Sequence, residues 1–430
     1  MMDPAPITQL ACVDAKRLLS STTPADPVSK VLDDDNTSSW PAPVPPLDDE
    51  NLLQEILLRL PSKPSSIPRA SLVCTRWCSI LSDPEFLKRF RKHNRMPPLL
   101  GFFAGAPCMT PGMKHNFVPV LDTKPNRIPA ERFAVPKRSN SCDYWNFLGC
   151  RHGLAVLISE SRHEAVVWDP LTGQQHRVPF PPGLLNAEGD TFWAWHAAVL
   201  CADNEDGHVH GDCFSSPFKL ALTCGNDTQA FACLYNSASG VWGNIVSTVT
   251  NSTIVSIRPS VLIGNAVYWL LFGGDILVFD IERQTLSVIE KPADAHRKSV
   301  WSFQLLRIDG GSGLGLAVML KPSIQLWKRK SNCDGVVEWV LLQKIIQLEG
   351  LFPREPHSDI NVPKMVGYDE DSNVIVLATY IGNFMLQLDL TRFKIISKRR
   401  NCRSTKIHYP YRNFYTAGRG VGWKKLALEL

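Results

Sequence analysis

The chain runs to 430 residues, 44% hydrophobic and 20% charged, the composition of an ordinary folded protein with room for two domains or one large one. Its 46 basic and 41 acidic residues leave a formal net charge of +5, too small a bias to call for a polyanionic partner, so charge does not point to nucleic acid. No apolar stretch reaches the roughly 18 residues of a membrane span, residues 1–30 lack the basic start and apolar run of a secretory signal, and the 12 cysteines are scattered without regular spacing. The expectation is therefore a protein of the cytoplasm and/or nucleus, with reduced thiols and no membrane association.

Residues 1–45 carry seven prolines, the acidic run Asp33-Asp34-Asp35 and little apolar content, and read as a disordered tail with one weakly amphipathic stretch from Leu10 to Leu19. The composition then changes. Leu52, Leu53, Ile56, Leu57 and Leu60 recur at helical spacing after Asp48 and Asp49, and Pro61 ends the pattern. A second helix is expected from a cap near Ser66, with Pro68 in its first turn and Ala70, Val73, Cys74, Trp77, Ile80 and Leu81 on one side. Asp83-Pro84-Glu85 announces a third helix that carries Phe86, Leu87 and Phe90. Three short helices in residues 46–96 bury too little surface to stand comfortably alone. Leu53, Leu57 and Leu58 extend the apolar surface round the first helix beyond what one small core needs, so a partner is implied.

From residue 101 to 430 the pattern becomes β. Short apolar or alternating runs such as Leu154–Ile158, Leu262–Leu271 and Val374–Tyr380 are separated by Gly, Pro, Asn and Asp. A motif of a strand, then an acid or amide, then a turn recurs at Asp169, Asn236, Asp280 and Asp389, and each copy reads as a hairpin. Asn236 and Asp280 are 44 residues apart, the length of a four-stranded propeller blade, whereas the 67 residues from Asp169 to Asn236 imply an insertion. An all-β domain of about six or seven blades is favoured, with an open β-sandwich pair as the alternative. The fold class is thus α+β and multidomain, a three-helix module followed by a β-propeller.

Leu47-Asp48-Asp49-Glu50-Asn51-Leu52-Leu53-Gln54-Glu55-Ile56-Leu57-Leu58-Arg59-Leu60-Pro61, then Arg69 to Trp77, and Ser82-Asp83-Pro84-Glu85-Phe86-Leu87, resemble in order the F-box motif, especially as found in large plant families. The run Gly264-Asn265-Ala266-Val267-Tyr268-Trp269 resembles, less specifically, the β-rich domains that follow plant F-boxes. The resemblance implies a Skp-type adaptor as partner, and through it cullin and RING subunits and a ubiquitin-charged conjugating enzyme. It places Leu47, Leu52, Ile56, Leu57, Leu60 and Pro61 on the adaptor-contacting helix and loop, and Val73, Cys74 and Trp77 on the second contacting element; the surplus apolar surface adds Leu53. The sequence departs from the family where the usual Leu-Pro opening reads Pro46-Leu47 and where Cys78 replaces a basic residue.

Little else carries chemistry. His208 and His210 could put two imidazoles on one face of a strand, but no second ligand pair is evident and no metal or other cofactor is expected. Gly310-Gly311-Ser312-Gly313-Leu314-Gly315 lacks the Gly-Lys-Ser/Thr of a phosphate loop and reads as a hairpin turn. Cys74 and Cys78 lie four apart on a helix, where core packing is the default. No nucleophile elbow or paired zinc-binding histidine signature occurs, so no catalytic residues are assigned. Basic clusters at Lys88–Arg95 and Lys398–Lys406 read as solvated segments rather than polyanion sites. Seven tryptophans, at 193, 195, 242, 269, 301, 327 and 339, are expected mostly between blades. The reading that follows is a non-catalytic substrate receptor of an SCF-type ubiquitin ligase whose C-terminal domain holds an unknown target. Competing readings are a small-molecule- or carbohydrate-binding propeller with a vestigial F-box, and a basic nucleic-acid-binding protein.

Overall fold

Helix-forming and strand-forming sequence are segregated along this chain, and the elements follow that division. A computed structural model describes residues 47–105, 115–121, 123–136, 145–184, 194–203, 208–211, 213–295, 299–320, 323–331, 336–348, 363–379, 381–388, 392–398 and 406–415. The Leu10–Leu19 stretch lies outside them. The chain divides into a unit of Met1–Asp49, whose described residues 47–49 form a turn, and a unit of Glu50–Leu430.

The second unit begins with α1 (Glu50–Leu58), which starts on an acidic residue at its positive end. The expected second helix is in fact two, α2 (Ser66–Ala70) and α3 (Thr75–Ser82). Between them the Ser71 hydroxyl donates to the Pro68 carbonyl, taking an acceptor from the helix ladder. Cys74 is fully extended with φ −161° and caps α3, so the described residues 47–96 hold four α-helices rather than three. Asp83 accepts the Phe86 amide at 2.8 Å, and Pro84 opens α4 (Pro84–Asn94) as its sequence requires.

Six sheets follow. The first contains β1 (Leu99–Gly105) and β2 (Asn116–Pro119). The second is β3 (Asn146–Arg151), β4 (Leu154–Ser159), β5 (Glu164–Trp168) and β6 (Gln175–Pro179). The third is β7 (Ala194–Cys201), β8 (Phe218–Gly225), β9 (Gln229–Asn236) and β10 (Val241–Trp242), with β11 (Val246–Val249) also on β9. The fourth is β12 (Val261–Ile263), β13 (Ala266–Leu270), β14 (Ile276–Asp280) and β15 (Thr285–Ile289). The fifth is β16 (Phe303–Ile308), β17 (Gly313–Leu320), β18 (Ser323–Ser331) and β19 (Val337–Gln347). The sixth is β20 (Lys364–Asp369), β21 (Val374–Ala378), β22 (Gly382–Gln387) and β23 (Arg392–Lys398). All pairings are antiparallel, and most join sequence neighbours. Two antiparallel pairings join strands that are not sequence neighbours: β11 with β9, and β24 (Ile407–Arg412), which returns to pair with β1 and completes the first sheet. This is a six-bladed propeller closed by its last strand, which decides against the open sandwich and removes the edge that a seventh blade would otherwise have to cover.

The recurring turn motif joins the third and fourth strands of a blade. Asp169 accepts the Leu171 amide and the Thr172 hydroxyl, and Gly173 follows at φ +80°, a left-handed conformation natural to glycine. Asn236 accepts the Ala238 amide, and Asp280 accepts the amides of Glu282 and Arg283. Asp389 lies outside the described residues. The long interval between the first two copies holds the excursion from Cys201 to Phe218 that links β7 to β8. Tryptophans pin neighbouring blades, since Trp242 on β10 donates to the Pro179 carbonyl of the preceding blade and Trp339 on β19 to that of Glu290.

First strands line the axis, and the axis is charged. Arg151 on β3 pairs with Glu370 just after β20 at 2.7 Å and donates to the Ser260 carbonyl at 2.9 Å, and Glu370 also accepts the Leu262 amide at 3.0 Å. Arg412 on β24 pairs with the buried Asp369 at 2.6 Å. Arg258 sits among backbone carbonyls of Met365 and Phe303, where burial lowers its pKa to about 10 and leaves it charged. Beside it His196 is fully buried. Its Nε2 donates to the Arg258 carbonyl at 2.8 Å, and its Nδ1 faces both the Trp269 indole N–H at 3.1 Å and the Ala197 carbonyl at 3.0 Å.

Glu370→Ala leaves the largely buried Arg151 without its carboxylate, so urea denaturation should show a loss of about 3–5 kcal/mol, most of it recovered when Arg151→Met is added. Burial holds the pKa of His196 down to about 4, and that of His115 likewise. The unfolded imidazole takes a proton near pH 6.5, so stability is complete above that value and declines as the pH falls toward 4. Urea midpoints measured from pH 7 to 4.5 at constant ionic strength should fall accordingly.

Candidate functional site

The four helices enclose a small core in which Leu53, Leu57, Ile67, Leu81, Phe86 and Phe90 are almost wholly buried, with Leu58, Ala70 and Ile80 at its border. The propeller completes it. Phe414, two residues past β24, packs edge-on against Phe90 with ring centroids 6.0 Å apart, and Val209 from the β7–β8 excursion covers another side. The partner implied by the small size of this module is therefore supplied in part by the same chain. Arg89 on α4 reaches Gln54 and Glu55 on α1 at 2.7 and 3.2 Å, and Arg59 also pairs with Glu55. These exposed pairs add little stability beside the buried contacts that Phe86 and Phe90 give α4.

Helical geometry then dictates what remains outside. Positions 53 and 57 face the core, so Leu52 and Ile56, one residue earlier and four apart, share the outer face of α1 and are 44% and 41% exposed. The turn after α2 presents Leu72 and Val73, 40% and 61% exposed. The surplus apolar surface is thus made by Leu52, Ile56, Leu72 and Val73, and the expectation that Leu53, Leu57 and Leu58 supply it is corrected. The sequence offered two stripes of identical spacing, and only the packing of α4 decides between them. Leu60 and Trp77 are half-buried against the core, while Pro61 is exposed. Cys74 is exposed as well, not on an inward stripe. Leu47, in the N-terminal unit, is exposed.

On the propeller, Trp195, Trp269 and Trp327 are buried, Trp242, Trp301 and Trp339 are half-buried, and Trp193 lies outside the described residues. A surface groove of about 280 Å³ lies beside β6 and the start of β8, lined by His176, Arg177, Phe214 and Tyr235 among others, with His176 stacked on Phe214 at 4.6 Å. The Gly310 region is the hairpin turn between β16 and β17. The second basic cluster lies largely outside the described residues.

One grouping was not anticipated. Cys201, His208, His210 and Cys213 bring one ligand atom each to within 4.8 Å of one another, so His208 and His210 acquire the second pair that the sequence did not reveal. The Cys201 thiol is held well below its ordinary range, chiefly by a hydrogen bond from Cys213, against the opposing effect of burial. The signal was present as Cys-x6-His-x-His-x2-Cys, but Cys201 reads as the last residue of an apolar strand.

Residues 47–89 match the F-box domain, and residues 146–390, more than half of the chain, match the β-propeller of AT5G49610-like F-box proteins. The F-box protein At5g07610 of Arabidopsis thaliana is 25% identical over 263 residues, 58% of this chain and 58% of that protein, so the match spans less than two thirds of the relative. Among solved structures, a structural genomics protein of unknown function from Bacteroides thetaiotaomicron shares 12% identity at a TM-score of 0.36, covering 65% of this chain and 64% of its own. The Dos1 propeller shares 9% at 0.33, covering 60% and 61%. No described helix is long and apolar enough to cross a membrane.

Removing the propeller's contribution to the helical core should loosen that core selectively. Phe414→Ala costs about 3 kcal/mol or more, read as roughly hundred-fold faster hydrogen exchange in α3 and α4 while the blades keep their protection.

Proposed function

The chain belongs to the F-box proteins that carry an AT5G49610-like β-propeller, and from that we propose that it is the substrate receptor of an SCF-type ubiquitin ligase. Its F-box binds a Skp-type adaptor, and through it cullin and RING subunits, while the propeller holds a target protein for ubiquitination. The observation that carries this reading is the outer apolar stripe of Leu52 and Ile56, flanked by Leu72 and Val73, on a module whose own core is already filled. An exposed apolar helix face in a small module is what a helix-docking partner covers. Leu60, Pro61 and Trp77 border the same helices and extend the proposed contact, whereas Leu53 and Leu57 support it from within.

The chemistry belongs to the rest of the ligase. A receptor raises the effective concentration of target lysines near the charged conjugating enzyme and needs no reacting groups of its own, so we read this chain as a non-catalytic subunit. Such ligases work in the cytoplasm and nucleus, which is where we place it.

Leu52→Asp and Ile56→Asp should each weaken adaptor binding by about 2 kcal/mol or more, roughly thirty-fold, because a charge is forced into an apolar contact. Binding of the full chain to a Skp-type adaptor, measured by calorimetry, reads the effect, and unchanged circular dichroism shows that both variants remain folded. Wild-type affinity in both would refute the assigned surface. Leu57→Asp, in contrast, should unfold the helical module itself.

A further inference from the structure

The excursion between β7 and β8 leaves the third blade at Cys201 and re-enters it at Phe218. Its described residues gather two sulfurs and two imidazoles. His208 Nε2 lies 3.4 Å from Cys201 Sγ and 3.5 Å from Cys213 Sγ, and His210 Nδ1 lies 3.4 Å from Cys213 Sγ. Zinc bonds of about 2.3 Å to sulfur and 2.0–2.1 Å to nitrogen at the tetrahedral angle set adjacent S and N ligands about 3.6 Å apart. The observed contacts match that edge.

Hydrogen bonding among the four groups explains the arrangement less well. Asp203 lies 3.1 Å from His208 Nδ1 and fixes the ring so that this nitrogen carries the proton and donates, leaving Nε2 as a lone pair. That lone pair faces two sulfurs at once. Cys213 in turn faces two ring nitrogens and the Cys201 sulfur with a single thiol proton to offer. All four ligand atoms lie within 4.8 Å of one another, as they do around a cation. A carboxylate behind a histidine is also the usual outer support of a zinc ligand, setting its tautomer and orientation. His152 stacks on His210 with ring centroids 3.5 Å apart and its Nδ1 accepts the Cys201 amide at 3.1 Å, so two of the four ligands are braced by one side chain.

We propose that Cys201, His208, His210 and Cys213 form a structural zinc site that locks the β7–β8 excursion against the F-box core. Two thiolates and two imidazoles suit zinc and disfavour magnesium or calcium, which take oxygen ligands. Four protein ligands leave no open position, so the role is structural. What the metal fixes is visible in the residues between the ligands. Val209 packs on the helical core, and Gly211 lies so close to Phe414 that an added Cβ would come within 2.8 Å of its ring. The clip therefore holds the piece of propeller on which the F-box rests.

The test uses the full chain co-purified with a Skp-type adaptor, without nickel resin or chelator, and zinc counted by elemental analysis. One zinc per chain is expected, falling below about one tenth in Cys201→Ser/Cys213→Ser. Because that variant could fail to fold, His208→Ala, which alters a partly exposed side chain, serves as the second, with adaptor binding as the check on folding. Cobalt added in place of zinc should give sulfur-to-cobalt charge-transfer absorption and the d–d bands of a tetrahedral site in the wild type only. Asp203→Asn should keep the stoichiometry at saturating zinc but lose metal to a competing chelator at about ten- to hundred-fold lower chelator strength. Wild-type protein that binds its adaptor yet holds neither zinc nor tetrahedral cobalt would overturn the site. So would zinc content unchanged in both ligand variants.

Discussion

The pairing of β24 with β1 is the constraint on which the rest of this molecule depends. Six blades form a ring only if the last strand of the chain completes the sheet begun by the first, and here Ile407–Arg412 does so over the length of β1. The strand does more than close a circle. Arg412 ties it to Asp369 in the sixth blade and to the Pro97 carbonyl at the end of the helical segment. Tyr409 and Tyr411 enter the aromatic cluster round Phe103, Phe133 and Phe147 that joins the first two blades. Phe414, just beyond, finishes the F-box core. One strand thus links ring closure, axis electrostatics and the module that faces the proposed adaptor.

The axis shows how such a ring tolerates buried charge. Desolvating Arg151, Arg258 and Arg412 is costly, and each is compensated by a carboxylate or by several backbone carbonyls drawn from different blades. These contacts add little net stability compared with an apolar axis. They do make the order and spacing of the blades specific, because a blade shifted by one register would leave a guanidinium without its partner.

Local chemistry was legible in the sequence and long-range chemistry was not. Asp83-Pro84 and the Asp169, Asn236 and Asp280 turns could be read directly because each side chain bonds backbone two or three residues away. The F-box motif was legible because its residues resemble, in order along the chain, the pattern of a known family. The break at Ser71 was missed because helix periodicity runs straight through it. Choosing between the Leu52/Ile56 and Leu53/Leu57 stripes needed the position of α4, whose Phe86 and Phe90 pack in one core with Leu53 and Leu57. Arg151 and Glu370 are 219 residues apart, and no pattern along the chain connects them. The ligand-like set of Cys201, His208, His210 and Cys213 fell between these cases, close in sequence but divided between a strand end and a loop.

The position of Phe414 also has a temporal meaning. During synthesis the F-box helices leave the ribosome long before residue 414, so for most of that time their core lacks one wall and their outer stripe is not held in its final geometry. A chain that stops early, or whose blades have not closed, carries the same docking sequence without the same docking surface. On the proposed function, recruitment to a ligase would then be restricted to chains whose propeller is finished, and the fold would act as its own inspection step.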